Sequence, residues 1–320
     1  MGGARGAPVP QRTAVGQTPD APDPRDDQRR PSASRPAAQR RWRSSSAPLS
    51  IGLTAPVLVL VALVSVVPIV YATRLSLFET QFMNIGEFIG LDNFRQALGT
   101  SAARADILRT LVYVSVSLVV AVPLGLALAL MLNLPFRFRA AFRAVIFLPW
   151  VVSQTVAALL WKWLLNPDYG PLPLGSFDPF ADSVMAMGAL ILANVWISYP
   201  LAAMLFLAAL QTVPGELLEA AEVDGAGKLR RLVSVILPTI KSTVLIVTIM
   251  LTLFFFNMVT LVYTLTAGGP HSATQTLSLQ AFRESFQFFH LGLGAAYSIV
   301  LFGFNILFGA AYVRVLRSEK

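Results

Sequence analysis

Six apolar runs, each long enough to cross a bilayer and together carrying almost no charge, divide this 320-residue chain. They lie at about 51–73, 110–133, 144–166, 187–210, 242–266 and 291–313, with ends defined to roughly 2–4 residues. In hydrocarbon every backbone N–H and C=O must be satisfied within its own segment, so a run of about 18 or more apolar residues reads as a spanning helix. Unbroken runs also rule out a membrane β-barrel, whose strands alternate apolar and polar residues. Pro56, Pro68, Pro123, Pro149 and Pro200 fall in or near the runs, where neighbouring helices can satisfy the carbonyls they free. The expected fold is an all-α membrane protein with six transmembrane helices. Composition agrees: 55% of residues are hydrophobic and 13% charged, against roughly 25% charged in a soluble domain.

Residues 1–48 are a different material, rich in Pro, Arg, Ser, Gln and Asp without apolar periodicity, and they read as a disordered tail. The first apolar run is about 23 residues long, too long for the short core of a cleaved signal, and reads as an anchor. With no cysteine, the chain has no disulfide, Cys-metal or thiol chemistry.

Basic residues mark the cytoplasmic side of a membrane protein. One set of connections holds the tail arginines, then Arg137, Arg139 and Arg143, then Lys228, Arg230, Arg231 and Lys241, and finally Arg314, Arg317 and Lys320. The alternate set is poorer, with Arg74, Arg95, Arg104, Arg109, Lys162 and Arg283. Both termini are therefore expected in the cytoplasm. The net charge of +8 reports orientation, since no folded basic module for nucleic acid is visible.

Ionisable side chains inside spans mark proton relays and cation sites. Here the spans are nearly bare, and between Lys241 and Arg283 the titratable side chains are Tyr263 and His271. An ion-driven carrier is thereby disfavoured. Neutral polar groups are plentiful, among them Gln154, Asn194, Ser198, Tyr199 and Asn257. Their plainest role is interhelical hydrogen bonding, and their sharper one is a path for a hydroxylated solute. Amides donate and accept together, and faces such as Trp150, Trp196 and Tyr199 can cover a sugar ring.

The fourth and fifth runs are separated by a hydrophilic island at about 211–241 that contains EAAEVDGAGKLRRLVSVILP. Each charge placed at the bilayer centre would cost about 2.5–3.5 kcal/mol, so the island belongs in water. Pro214 suits a first helical turn, and Glu216 and Glu219 favour the positive end of the helix dipole, which predicts a short helix over 214–223. Gly225 and Gly227 then turn the chain, and a second basic segment leads to Leu237 and Pro238. Such a knob, with Ala220 and Ala221 as a smooth face, suits the close approach of another surface.

This spacing, Glu219-Ala220-Ala221 followed by Asp224-Gly225 and then Leu237-Pro238, resembles the EAA loop of binding-protein-dependent ABC importer permeases. Val235 stands where that pattern usually has isoleucine. The resemblance covers roughly residues 50–316, and NVWISYP, VYTLTAGGP and FIGLDNF are similar to stretches of the carbohydrate, maltose-type branch. It implies the type I importer permease fold in a bacterial inner membrane, with lipid around it. The chain would be the transmembrane channel subunit of an ATP-driven sugar importer, paired as a heterodimer with a second homologous permease. Two cytoplasmic ATPase subunits and an extracytoplasmic solute-binding protein complete the implied assembly. Glu219, Ala220, Ala221, Asp224, Gly225, Leu237 and Pro238 would couple to the ATPase. Trp150, Gln154, Asn194, Ser198 and Tyr199 fall at or beside substrate-contact positions of that branch, which has Tyr and Ser at the first pair and Gly at the Ser198 position. Asn257 joins them as an amide beside three phenylalanines.

No catalytic site, metal site or cofactor is expected in this chain itself. Gly225-Ala226-Gly227-Lys228 lacks both the earlier glycine and the following Ser or Thr of a phosphate-binding loop, those positions being Glu222 and Leu229. ATP would be bound by the partner ATPase. A glycerol-phosphate importer permease is the alternative within the class, and a secondary carrier the alternative outside it.

Overall fold

The computed structural model describes residues 47–318, apart from 83, 173, 174 and 176. The tail expected over 1–48 thus lies, all but its last two residues, outside the described residues. The chain divides into two units, Met1–Leu60 and Val61–Lys320. What is described of the first is helical, the beginning of α1 (Ala47–Leu75). The second holds the rest of α1 and every later element.

Five helical stretches among the described residues are long and apolar enough to cross a membrane: Thr54–Leu75, Ser101–Asn133, Ser183–Leu210, Lys228–Phe256 and Leu291–Val315. Two further apolar helices, α4 (Arg139–Val151) and α5 (Gln154–Leu164), are bent by 101° at a short break and make a sixth crossing if the pair is one span. Here the structure departs from the straight helix expected over 144–166. Pro149 withholds one backbone donor, Val152 is extended, and the Ser153 hydroxyl accepts from the N–H of Val156 at 3.3 Å, capping a new helix. A capping serine four residues after a proline was the signal for this break.

On the side where α1 ends, the chain forms a two-stranded antiparallel hairpin, β1 (Phe78–Gln81) and β2 (Asn84–Phe88), and then α2 (Asp92–Gly99). The buried Asn93 amide donates to the carbonyls of Ser76 at 2.9 Å and Phe78 at 3.0 Å. The Thr80 hydroxyl accepts from Gly292 N–H at 2.6 Å, tying the hairpin to the start of the last helix, α12 (Leu291–Ser318).

The core is built on α3 (Ser101–Asn133) and α6 (Ser183–Leu210), which run parallel. Arg109 and Val112 share a cavity with Ser183–Ile191, and further on Gly125 meets Ala202. A Cβ on Gly125 would stand 2.6 Å from that of Ala202, so only glycine permits this approach. Small residues at the contact (Ala121, Ala129, Ala193, Ala202) let the two backbones come close, as membrane helices require when lipid offers no hydrophobic drive for association. Thr100 and Asp182 cap the two helices, each through a side-chain oxygen that accepts from first-turn N–H groups.

Against this pair packs α9 (Leu237–Phe256), and α12 packs on α9, where Phe256 stacks on Phe304 at 6.1 Å and lies 5.2 Å from Phe308. The fifth apolar run is interrupted at Asn257 and resumes in α10 (Thr260–Leu265). A loop then leads to α11 (Leu277–Phe286). Arg283 holds that loop, donating to Gln275 Oε1 at 2.8 Å and to the Ala267 carbonyl at 2.6 Å.

Candidate coupling corner and translocation residues

Between α6 and α9 the chain leaves the apolar core and makes a corner. Its first arm is α7 (Gly215–Val223), preceded by Pro214 in extended conformation and without a single buried residue. Glu219 and Ala220 are exposed on it and Ala221 is half-buried. Leu217 and Val223 are exposed too, Val223 at 88%, so the arm presents apolar side chains to its surroundings.

The corner itself follows from local chemistry. Ala226 N–H donates to the Ala221 carbonyl at 2.9 Å and Gly225 N–H to that of Glu222 at 3.0 Å, the paired bonds of a Schellman stop. Its left-handed residue is Gly225, at φ +73, which glycine adopts without the Cβ penalty. Asp224 is the last residue before it, and its N–H donates to the Ala220 carbonyl at 3.0 Å. The second arm, α8 (Lys228–Arg231), starts after Gly227. Arg231 returns to Glu222 at 2.7 Å, bracing one arm on the other. The sequence reading missed this pair, although opposite charges flanking a glycine turn were a visible cue.

From Leu232 to Ile236 the helix widens into a π turn, with Leu237 N–H donating to the Leu232 carbonyl, before α9 begins with Leu237 and Pro238. Pro238 has no N–H to give, and its ring would press on the carbonyl four residues back in a regular helix. The wider turn gives that ring room, and π turns of this kind are frequent at functional sites. All seven residues assigned to coupling therefore belong to one corner.

The residues assigned to the solute path divide by burial. Trp150, in the last turn of α4, is 39% exposed and faces Phe254 of α9 with ring centroids 6.3 Å apart. Gln154 is the first residue of α5, just past the break, and is half-buried. Tyr199 is half-buried on α6. Asn257 is exposed in the gap between α9 and α10, donating to the Leu253 carbonyl at 2.7 Å and lying 3.5 Å from Asn305 Oδ1. It borders a cavity of about 220 Å³ together with Ser278, Ser285, Ser298 and Phe282.

Asn194 and Ser198 behave differently. Both are fully buried on α6, at levels between those where that helix meets α3. Tyr113 and Ser117 are equally buried on α3. None of these four side chains has a hydrogen-bond partner among the described residues. Asn194 and Ser198 are thus buried polar groups inside the subunit, unlike the more accessible Trp150, Gln154, Tyr199 and Asn257.

Among the described residues no group of three or more His, Asp or Glu side chains is placed to hold a metal ion.

A helical body with several apolar, membrane-length helices and an exposed corner between α6 and α9 suits a transport permease. Residues 97–319 match the family model of the binding-protein-dependent transport system inner membrane component, and the chain belongs to that family. It is 31% identical to the sulfoquinovosyl glycerol transport system permease protein SmoG of Agrobacterium fabrum, over 85% of this chain and 91% of that protein. It is 34% identical to the trehalose transport system permease protein SugA of Mycobacterium tuberculosis, over 82% of this chain and 89% of that one. In fold it is similar to a chain of a bacterial alginate ABC transporter solved with an alginate pentasaccharide-bound periplasmic protein. The TM-score is 0.75 at 19% identity, over 88% of this chain and 98% of that one.

Proposed function

We propose that this chain is one of two homologous permease subunits of an ATP-driven importer, carrying a sugar or oligosaccharide handed over by an external solute-binding protein. In this reading both termini face the cytoplasm, which the distribution of Lys and Arg supports. The corner then lies on the cytoplasmic side and is the handle held by an ATPase subunit. The single observation that carries this reading is the exposed α7, whose Glu219-Ala220-Ala221 face ends in a rigid stop at Gly225. Motion of a docked ATPase reaches α9 through the braced second arm and the π turn. Binding of loaded binding protein on one side and of ATP on the other would bias the same two-state membrane element.

Trp150, Gln154, Tyr199 and Asn257 form this subunit's share of the solute path, with Asn194 and Ser198 behind it. Names of relatives that carry trehalose and a sugar glycerol conjugate support a carbohydrate solute. A glycerol-phosphate would call for cationic side chains along the path, and Trp150, Gln154, Tyr199 and Asn257 are all neutral.

Because the chain has no cysteine, one introduced at Ala220 gives a unique cross-linking site. The expected product is an adduct with an ATP-hydrolysing subunit in a strain that accumulates disaccharide. Accumulation with no such adduct from any position of α7 would refute the coupling role.

A further inference from the structure

A cavity of about 620 Å³ lies between the end of α3 and the second arm of the corner, beside the residues assigned to coupling. Apart from Asn133 at the end of α3, its neutral walls are apolar: Leu130 and Met131 from α3, Leu134 just past it, Leu218 from α7, and Leu229 and Ile236 from the segment that leads into α9. Leu134 and Leu229 are 61% and 74% exposed, so a large apolar surface stands open. Lys228 and Arg231 also line it. Glu222 answers Arg231, whereas Lys228 has no carboxylate partner among the described residues. The Ser101–Asn133 stretch ends and the Lys228–Phe256 stretch begins at this cavity, so it lies at the ends of two apolar helices, where a spanning helix meets the headgroup region.

An apolar cavity with an unanswered cation in its lining fits an amphiphile with an anionic head. The geometry points to a binding site for an anionic phospholipid, its phosphodiester on Lys228 and an acyl chain along Leu130, Met131, Leu134 and Ile236. Basic pockets on the cytoplasmic side of membrane proteins take such headgroups. The chain's own tail is a poor occupant, because its nine arginines against four aspartates would be repelled by the same cations. Bound there, the lipid would bridge α3 to the corner, so membrane composition would tune how stiffly the handle is held. Only the leaflet that supplies the lipid rests on the orientation proposed above.

The test uses the full-length chain in phosphatidylcholine nanodiscs containing a small fraction of photoactivatable phosphatidylglycerol, with adducts mapped by peptide mass spectrometry. Adducts are expected on 130–134 and 228–236. Lys228→Gln should lower their yield about fivefold, the effect of losing one basic residue near an anionic headgroup. Met131→Trp, which fills the cavity, should lower it too, and Arg230→Gln, outside the cavity, should leave it unchanged. Photoactivatable phosphatidylcholine at the same fraction should label these segments far more weakly, and inorganic phosphate should not compete. Equal labelling by the two lipids, or a yield insensitive to Lys228→Gln, would overturn the proposal. So would labelling that disappears once co-purified ATPase subunits are bound, because the occupant would then be protein. The readout is lipid adduct and not uptake, so its failure is separate from failure of the coupling role.

Discussion

Arg231 donates to Glu222 at 2.7 Å across the turn made by Gly225, so the two arms of the corner are joined by charge as well as by backbone. Glu222 is 70% exposed on its side chain and Arg231 only 23%, so the pair sits at a surface where water screens it. A double-mutant cycle on Glu222→Gln and Arg231→Gln should give a coupling energy of at most about 1 kcal/mol in stability. If the pair transmits force, ATPase stimulation by loaded binding protein should fall in each single variant at unchanged expression. Equal stimulation in wild type and variants would assign the pair to surface charge alone.

At Gly225 nothing lies within 4 Å of where a Cβ would be, so a substitution there meets no clash and acts through the backbone alone. Gly225→Ala must hold φ +73 and should cost about 1–2 kcal/mol. Gly225→Asn should cost less, since asparagine tolerates the left-handed region. Uptake should therefore rank glycine above asparagine above alanine, with membrane insertion unchanged. A bulky but flexible residue performing as well as glycine would mean that the left-handed turn does not matter.

Gly125 poses the opposite problem, one of space. Gly125→Ala drives a methyl to 2.6 Å from the Ala202 Cβ and should destabilise the α3–α6 contact by about 1–3 kcal/mol. Ala202→Gly in the same chain should restore much of the loss. Thermal unfolding of the detergent-solubilised transporter reads both, and additive effects of the two changes would show that the residues are not in contact.

Asn194 and Gln154 should respond differently to leucine. Gln154 borders the break between α4 and α5, and Gln154→Leu should lower uptake with the complex still assembled. Asn194 is fully buried with its amide unpartnered, so Asn194→Leu removes a group whose desolvation costs about 1–3 kcal/mol and should leave thermal stability unchanged or raised. Lower uptake in a more stable Asn194→Leu protein would show that this buried amide serves transport. Lower uptake together with lower stability would make it a packing residue.

The apolar runs and the chemistry of the corner were legible in the chain itself, although the fifth run, expected over 242–266, is part of a stretch over Lys228–Phe256 that breaks at Asn257. A span is announced by its own length of uncharged residues, and a helix stop by a glycine placed to close two backbone bonds, as Gly225 is. Both depend on neighbours a few residues away. The straightness of the third run was not legible in the same way, although Pro149 and Ser153 together carried the cue for its break.

What faces what was decided only by the tertiary structure. The spanning helices are apolar nearly all round, so no stripe along α6 tells the side turned to α3 from the side turned to lipid or to a solute path. The approach at Gly125 and Ala202 fixes that rotation, and with it Asn194 and Ser198 fall inside the subunit while Tyr199, one residue on, stays accessible. Likewise Leu130 and Leu229 stand far apart in the chain and line one cavity only because α3 ends beside the corner. Spans and turns follow from local chemistry, whereas helix rotation and cavities follow from how backbones pack, which a one-dimensional pattern of hydrophobicity does not encode.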